Sequence, residues 1–127
     1  MKNGLKVAIP LLIILVLLLV LQSLFFIGYV PTASMEPTLK EGSFIVAERR
    51  YSELERGDVI VFRHDGSLMI KRIAAVQGDT VLVRDEPLIV PRDCFYVLGD
   101  NESHSVDSRF WEDPFVSENA ILAKVFL

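Results

Sequence analysis

From Val7 to Val30 the chain is almost unbroken hydrocarbon, interrupted only by Pro10, Gln22, Ser23 and Gly28. A helix of about 20 apolar residues crosses the hydrocarbon of a bilayer. The run therefore predicts one transmembrane anchor. It exceeds the apolar core of a cleavable leader, which is about 7–15 residues long. The small residues Thr32, Ala33 and Ser34 that follow would nevertheless suit a cleavage site. Lys2 and Lys6 are the only charges before residue 31, and both precede the run. The positive-inside rule places that end in the cytoplasm and the rest of the chain outside. Phe25, Phe26 and Tyr29 fall where an interfacial aromatic belt would lie.

Beyond Val30 the pattern shortens to strand-length apolar runs separated by turn residues. Strands are expected over Ser43–Ala47, Asp58–Phe62, Leu68–Val76, Val81–Val83, Leu88–Val90, Cys94–Leu98 and Ala120–Phe126. Lys40-Glu41-Gly42, His64-Asp65-Gly66-Ser67, Gln77-Gly78-Asp79 and Arg84-Asp85-Glu86-Pro87 read as turns. Glu48–Gly57 is a charged loop, and Gly99–Arg109 is irregular and rich in Gly, Asn, Ser and Asp. The pattern predicts an all-β domain, a small barrel or folded β-sandwich, behind one N-terminal transmembrane α-helix. The expected division is residues 1–30 as cytoplasmic stub and anchor, and residues 31–127 as an extracytoplasmic β-rich domain.

Charge removes one class of function. All seventeen acids and eleven of the thirteen bases follow Val30, so the β-rich region carries a net charge of −6. A nucleic-acid surface would need clustered Lys and Arg, so no nucleic-acid partner is expected. The single cysteine, Cys94, cannot form an internal disulfide, and its strand-like neighbours make it a small core residue. His64 and His104 are far apart and no cysteine pair has ligand spacing, so neither a metal nor another cofactor is expected.

The candidate chemistry starts at Pro31-Thr32-Ala33-Ser34-Met35-Glu36-Pro37-Thr38-Leu39, where the apolar run gives way to the polar region. Ser34 is the candidate nucleophile. A serine hydroxyl cannot attack an amide unaided; it needs a base and an oxyanion site. Lys71 lies in the third expected strand, where alternation puts Met69, Lys71 and Ile73 on one face. Such a lysine either snorkels to solvent or is buried. Burial would lower its pKa and leave a neutral amine able to act as a general base near neutral pH. The third stretch is Gly99-Asp100-Asn101-Glu102-Ser103-His104-Ser105-Val106-Asp107-Ser108-Arg109. Its Asp and Asn side chains can bond nearby backbone amides, and Asp107 and Arg109 can form a charge-assisted pair. Alone, this loop reads equally well as structural, or as a weak calcium loop.

Taken in order behind one anchor, Ser34-Met35-Glu36-Pro37-Thr38-Leu39, Ile70-Lys71-Arg72 with Gly78-Asp79, and Gly99-Asp100-Asn101 leading to Ser105-Val106-Asp107-Ser108-Arg109 resemble the bacterial type I signal peptidase (leader peptidase) family, in a short form. The resemblance covers nearly all of the chain after the anchor. It implies a serine–lysine endopeptidase that removes signal peptides from secreted preproteins at the outer face of the cytoplasmic membrane. It assigns Ser34 as nucleophile and Lys71 as general base. Ser105 would orient the lysine, and Asp107 and Arg109 would support the loop, together with Asp100 and Asn101. Thr32 would join the Ser34 N–H in the oxyanion hole, and Met35 would pack beside the substrate groove. The implied partners are membrane lipid and signal peptides bound as extended strands, with small residues at the first and third positions before the cut.

The chain departs from the family pattern in places. Thr32-Ala33 stands where Ser-Gly is commoner, and Ala75-Val76-Gln77 replaces Gly-Leu-Pro before Gly78-Asp79. The connection from Lys71 to Gly99 is short, without the β-rich insert of larger members. Lysine rather than histidine at position 71 points away from the endoplasmic-reticulum type. Two other readings remain open. One is a related Ser/Lys processing peptidase with a narrow substrate. The other is a non-catalytic, membrane-anchored β module that binds a partner.

Overall fold

The computed structural model describes residues 2–127. It opens with α1, Lys2–Leu24, a 23-residue helix with none of its side chains buried. At 1.5 Å per residue the helix is roughly 35 Å long, and it is long and apolar enough to cross a membrane. Nine strands follow: β1 Phe25–Tyr29, β2 Phe44–Glu48, β3 Val59–His64, β4 Ser67–Val76, β5 Thr80–Val83, β6 Glu86–Ile89, β7 Cys94–Leu98, β8 Phe115–Ser117 and β9 Ile121–Val125. Seven form one antiparallel sheet in the order β1-β2-β9-β3-β4-β7-β8, and β5 and β6 form a separate hairpin. The all-β domain behind one apolar helix is the architecture that the hydrophobic pattern predicts.

The helix stops six residues short of the apolar run. Residues 25–29, which hydropathy alone assigns to the anchor, pair with β2 from Phe25↔Glu48 to Tyr29↔Phe44. Phe, Ile and Tyr suit a pleated strand, and Gly28 removes the side chain that would otherwise press on Phe26 and Ile45. The Arg49 N–H bonds the Leu24 carbonyl at 2.8 Å, which satisfies an orphan carbonyl at the helix end. A second strand missed by the pattern, β8, is only three residues long and lies beside β7.

The Val59-Ile60-Val61-Phe62 run of β3 is buried on both faces. Val59 and Val61 pack with Val30, Met35, Ile45 and Ala123, while Ile60 and Phe62 pack with Ile73, Val97 and Trp111. The sheet thus curls between two cores, which is why β3 reads as a continuous apolar run rather than an alternating one. Hairpin β3–β4 turns on Asp65 and Gly66, both at positive φ, and β5–β6 turns on Arg84 and Asp85, also both at positive φ. Two successive residues with positive φ make the primed turn that matches strand twist. The first hairpin matters for the site, because it sets β4 in register with β3 and places Lys71 opposite Ile60.

Candidate active site

Lys71 Nζ lies 2.8 Å from Ser34 Oγ in a buried hydrogen bond. The two residues are 37 positions apart and come from different elements, Ser34 from the turn after β1 and Lys71 from the middle of β4. Ser34 is 7% exposed and Lys71 5%. By strand alternation Lys71 shares a face with Met69 and Ile73, both packed in the second core, so its amine is held away from water. Burial pushes the Lys71 pKa below the ordinary lysine value; the Asp107 carboxylate partly opposes this and the Arg109 guanidinium adds to it. Among the described residues Ser34 is the only hydrogen-bond partner of the amine.

The turn that carries Ser34 is clasped by the start of the loop after β7. The Asn101 N–H bonds the Ser34 carbonyl at 2.8 Å, and Asn101 Nδ2 bonds the Ala33 carbonyl at 3.0 Å. Asp100 receives the Arg72 guanidinium at 2.8 and 2.7 Å and also the Thr38 hydroxyl. One carboxylate therefore ties the strand that bears the lysine to the turn that bears the serine. The Arg72 hydrogen bond holds the Asp100 pKa below the usual carboxylate range, with Thr38 helping against the opposing effect of burial.

Asp107 is the buried anchor of the rest of the loop, fully shielded from solvent. It accepts from Arg109 Nε at 2.9 Å, Arg109 Nη2 at 3.0 Å, the Gly99 N–H at 2.9 Å and Ser105 Oγ at 2.7 Å. Burial alone would raise its pKa, but Arg109, the Gly99 N–H and the Ser105 hydroxyl outweigh burial and hold it low. The Ser105 hydroxyl hydrogen is directed at Asp107. The resemblance instead implies a direct bond from Ser105 to the lysine, and no such bond is present among the described residues. Ser105 therefore braces the loop beside the amine, and the carboxylate it serves is the acid nearest in effect to Lys71.

Thr32 Oγ1 lies 3.2 Å from Ser34 Oγ and 3.5 Å from Ser34 N. It stands at the exposed rim of a groove of about 380 Å³. One wall comes from β1 and the chain after it, Phe26, Gly28 and Val30; the other comes from Leu68, Met69 and Ile70 of β4. Met35 and Val61 line its floor, and His104 and Val106 close the side that faces the loop. Met35 is 1% exposed and belongs to the first core, so it links the groove to the packing beneath.

Several contributors carry no signal strong enough to single them out in sequence. Thr38 and Arg72 sit inside recognisable stretches, but only the fold shows that both meet Asp100. Ser108 is fully buried; its Oγ accepts from the Val97 N–H at 2.9 Å, and its own N–H bonds the Val97 carbonyl at 3.2 Å. It replaces a strand partner at the end of β7. No group of three or more potential metal ligands occurs among the described residues.

Comparison with known proteins identifies the family. A family model described as "Signal peptidase, peptidase S26" matches residues 4–90 and 84–127. Probable signal peptidase I-2 of Synechocystis is 32% identical over a match covering 78% of this chain and 60% of that protein. Thylakoidal processing peptidase 1 of Arabidopsis thaliana is 30% identical, over 76% of this chain and 40% of that protein. A protein named inactive signal peptidase IA of Staphylococcus aureus is 25% identical, over 86% of this chain and 83% of its own length. The chain thus spans less than two thirds of the first two relatives. Matched along nearly its whole length, the chain belongs to the peptidase S26 family of signal peptidases.

Proposed function

We propose that this chain is a membrane-anchored serine endopeptidase that removes N-terminal signal peptides from preproteins, with Ser34 as nucleophile and Lys71 as general base. Family membership alone does not carry activity, since the matched Staphylococcus aureus relatives are named inactive. The observation that carries the proposal is the 2.8 Å hydrogen bond between Ser34 Oγ and an amine whose burial favours its neutral form.

With the amine neutral, the Ser34 hydroxyl donates to Nζ. Lys71 takes that proton as Oγ bonds to the scissile carbonyl carbon, and the carbonyl electrons move onto oxygen. The tetrahedral oxyanion is met by the Ser34 N–H and the Thr32 hydroxyl; such donors are typically worth roughly 3–4 kcal/mol each by mutational loss. Lys71 then gives its proton to the leaving amine as the C–N bond breaks. The acyl-enzyme is cleared by a water that Lys71 deprotonates in turn.

An extended substrate is supported by the sheet edges. From Ser67 to Lys71, β4 pairs only with β3, because β7 begins its pairing at Arg72. That leaves a stretch of open strand edge beside Ser34 to which a peptide can add. The apolar lining by Val61, Ile70 and Met35 favours small apolar side chains next to the cut. The anchor reading rests on α1, with the lysines at its start in the cytoplasm and the β domain of a bacterial enzyme outside.

The test is cleavage of a fluorogenic signal-peptide substrate by the full chain in detergent micelles, between about pH 7 and 10. Cleavage by wild type and none by Ser34→Ala supports the proposal. No cleavage by wild type anywhere in that range would leave an anchored β module that binds without catalysis.

A further inference from the structure

A second cavity lies outside the peptidase groove, at the corner where α1 runs into the sheet. It encloses about 790 Å³ between Leu18 and Leu21 of the last helical turns and Phe25, Ile27 and Val46 of β1 and β2, with Arg49 at its rim. The apolar residues are not packed away: Leu18 is 53% exposed and Val46 47%. Arg49 is fixed in place. Its N–H bonds the Leu24 carbonyl at 2.8 Å, its Nε bonds the Phe25 carbonyl at 3.1 Å, and its guanidinium carbon stands 5.3 Å over the Phe26 ring. Its two Nη groups have no acceptor among the described residues, and neither Arg49 nor the following Arg50 has a carboxylate in ion-pair range there.

We propose that this corner holds one anionic phospholipid, its phosphate on Arg49 and its acyl chains along Leu18 and Leu21. The guanidinium fork matches phosphate oxygens in geometry as well as charge. The backbone bond through Nε and the aromatic face beneath hold that fork with its free edge outward. The apolar trough continues the lipid-facing surface of α1, so acyl chains pass from bilayer to site without crossing water. A second copy of the helix would also fill the trough, but it would leave the guanidinium unpaired. The apolar stretch of a substrate would do the same. An amphiphile with an anionic head satisfies both halves of the site. In a β domain of net charge −6, this pair of arginines would also offset repulsion from an anionic membrane surface. The proposal rests on α1 lying in a bilayer, and its readout is independent of peptide cleavage.

The experiment is native mass spectrometry of the full chain in dodecyl maltoside, titrated separately with phosphatidylglycerol, with diacylglycerol and with glycerol phosphate. The expected result is one phosphatidylglycerol retained per chain, with neither the phosphate-free lipid nor the chain-free head group bound comparably. Arg49→Gln should weaken retention by about fivefold, the weight of one basic side chain at an anionic surface. Val46→Trp, which fills the trough and leaves Arg49 in place, should weaken it as well, so that the test survives if one variant folds poorly. Equal retention by wild type and both folded variants would overturn the proposal. So would glycerol phosphate binding as tightly as the lipid, or displacement of the lipid by a chain dimer or by a signal-peptide segment.

Discussion

Gly99 lies so close to Ser34 that no side chain fits between them: a Cβ at position 99 would stand 2.7 Å from the Ser34 carbonyl oxygen and would overlap Ser105 Oγ. Its φ is not in the left-handed region, so the requirement comes from close approach and not from backbone conformation. Gly99→Ala should therefore cost about 1–3 kcal/mol, as overpacking of a tight site does. It should also lower kcat/KM by pushing the Ser34 backbone away from Asn101. Adding Ser105→Gly removes the collision with Ser105 but leaves the carbonyl one and also deletes the Ser105 hydroxyl bond to Asp107, so activity should stay low. Denaturation midpoints and cleavage rates of the single and double variants check this. Full activity in Gly99→Ala would show that the turn can move freely.

The Ser34–Lys71 bond leads to the next prediction, which concerns both activity and pH. Ser34→Ala and Lys71→Ala should each lower kcat by at least about 10³-fold, with the fold retained. In wild type, kcat/KM should rise with pH through an apparent pKa below 10.5, the ordinary lysine value, because burial favours the neutral amine. Lys71→Arg, which cannot become neutral, should be inactive throughout. The linkage has a definite sign. Between the lowered folded value and 10.5 the unfolded chain binds more protons than the folded one, so stability rises with pH across that window. Lys71→Met should accordingly be more stable than wild type at neutral pH, with the difference closing above about pH 10.5. Unfolding curves at several pH values would check it; a gap that widened as pH rose would contradict the buried-amine assignment.

How much of this could be read in advance depends on whether the determinant is local. The strands are legible because strand-length apolar runs bounded by turn residues report local geometry, and seven of the nine appear in the pattern. The first strand was hidden because Phe25-Phe26-Ile27-Gly28-Tyr29 is as apolar as the helix before it, and only pairing with β2 separates them. Ser34 and Lys71 stood out through their neighbours in sequence. The role of Ser105 did not. Which way its hydroxyl points is decided by Asp107, and Asp107 is held there by Arg109 and the Gly99 N–H. Such a network is closed by several contacts at once, and no residue spacing specifies it.

Asp100 provides a test of how the turn bearing Ser34 and the strand bearing Lys71 are held together. It bonds both Arg72, next to the lysine, and Thr38, four residues after the serine. Asp100→Asn should destabilise by about 1.5–3 kcal/mol, the range for hydrogen bonds to a charged group. Because Arg72 lowers the folded pKa of Asp100, its contribution is present above the unfolded value and lost as pH falls through the folded one. The difference between wild type and Asp100→Asn should thus shrink in acid, below about pH 4. In a double-mutant cycle, Arg72→Met and Asp100→Asn should be less than additive. Strict additivity would show that the pair seen here contributes no coupling.

Thr32 Oγ1 lies 3.2 Å from Ser34 Oγ and accepts the Ser34 N–H at 3.5 Å, so a hydroxyl and a backbone N–H lie side by side at the groove. In the free protein that hydroxyl donates to Ser34 Oγ. Once Oγ has bonded to the carbonyl carbon, a rotation about the Thr32 side-chain bond can redirect the hydrogen to the new anion. The interaction with negative charge then exists only in the transition state, so it should appear in kcat and not in KM. Thr32→Val keeps the branched shape and removes the donor; kcat should fall by about 10²–10³-fold with KM little changed. Thr32→Ser restores the donor without the methyl and should recover most of the rate. If Thr32→Val kept its kcat, the oxyanion would be met by the Ser34 N–H without help from residue 32. If kcat and stability fell together in both variants, the residue would serve the turn and not the reaction.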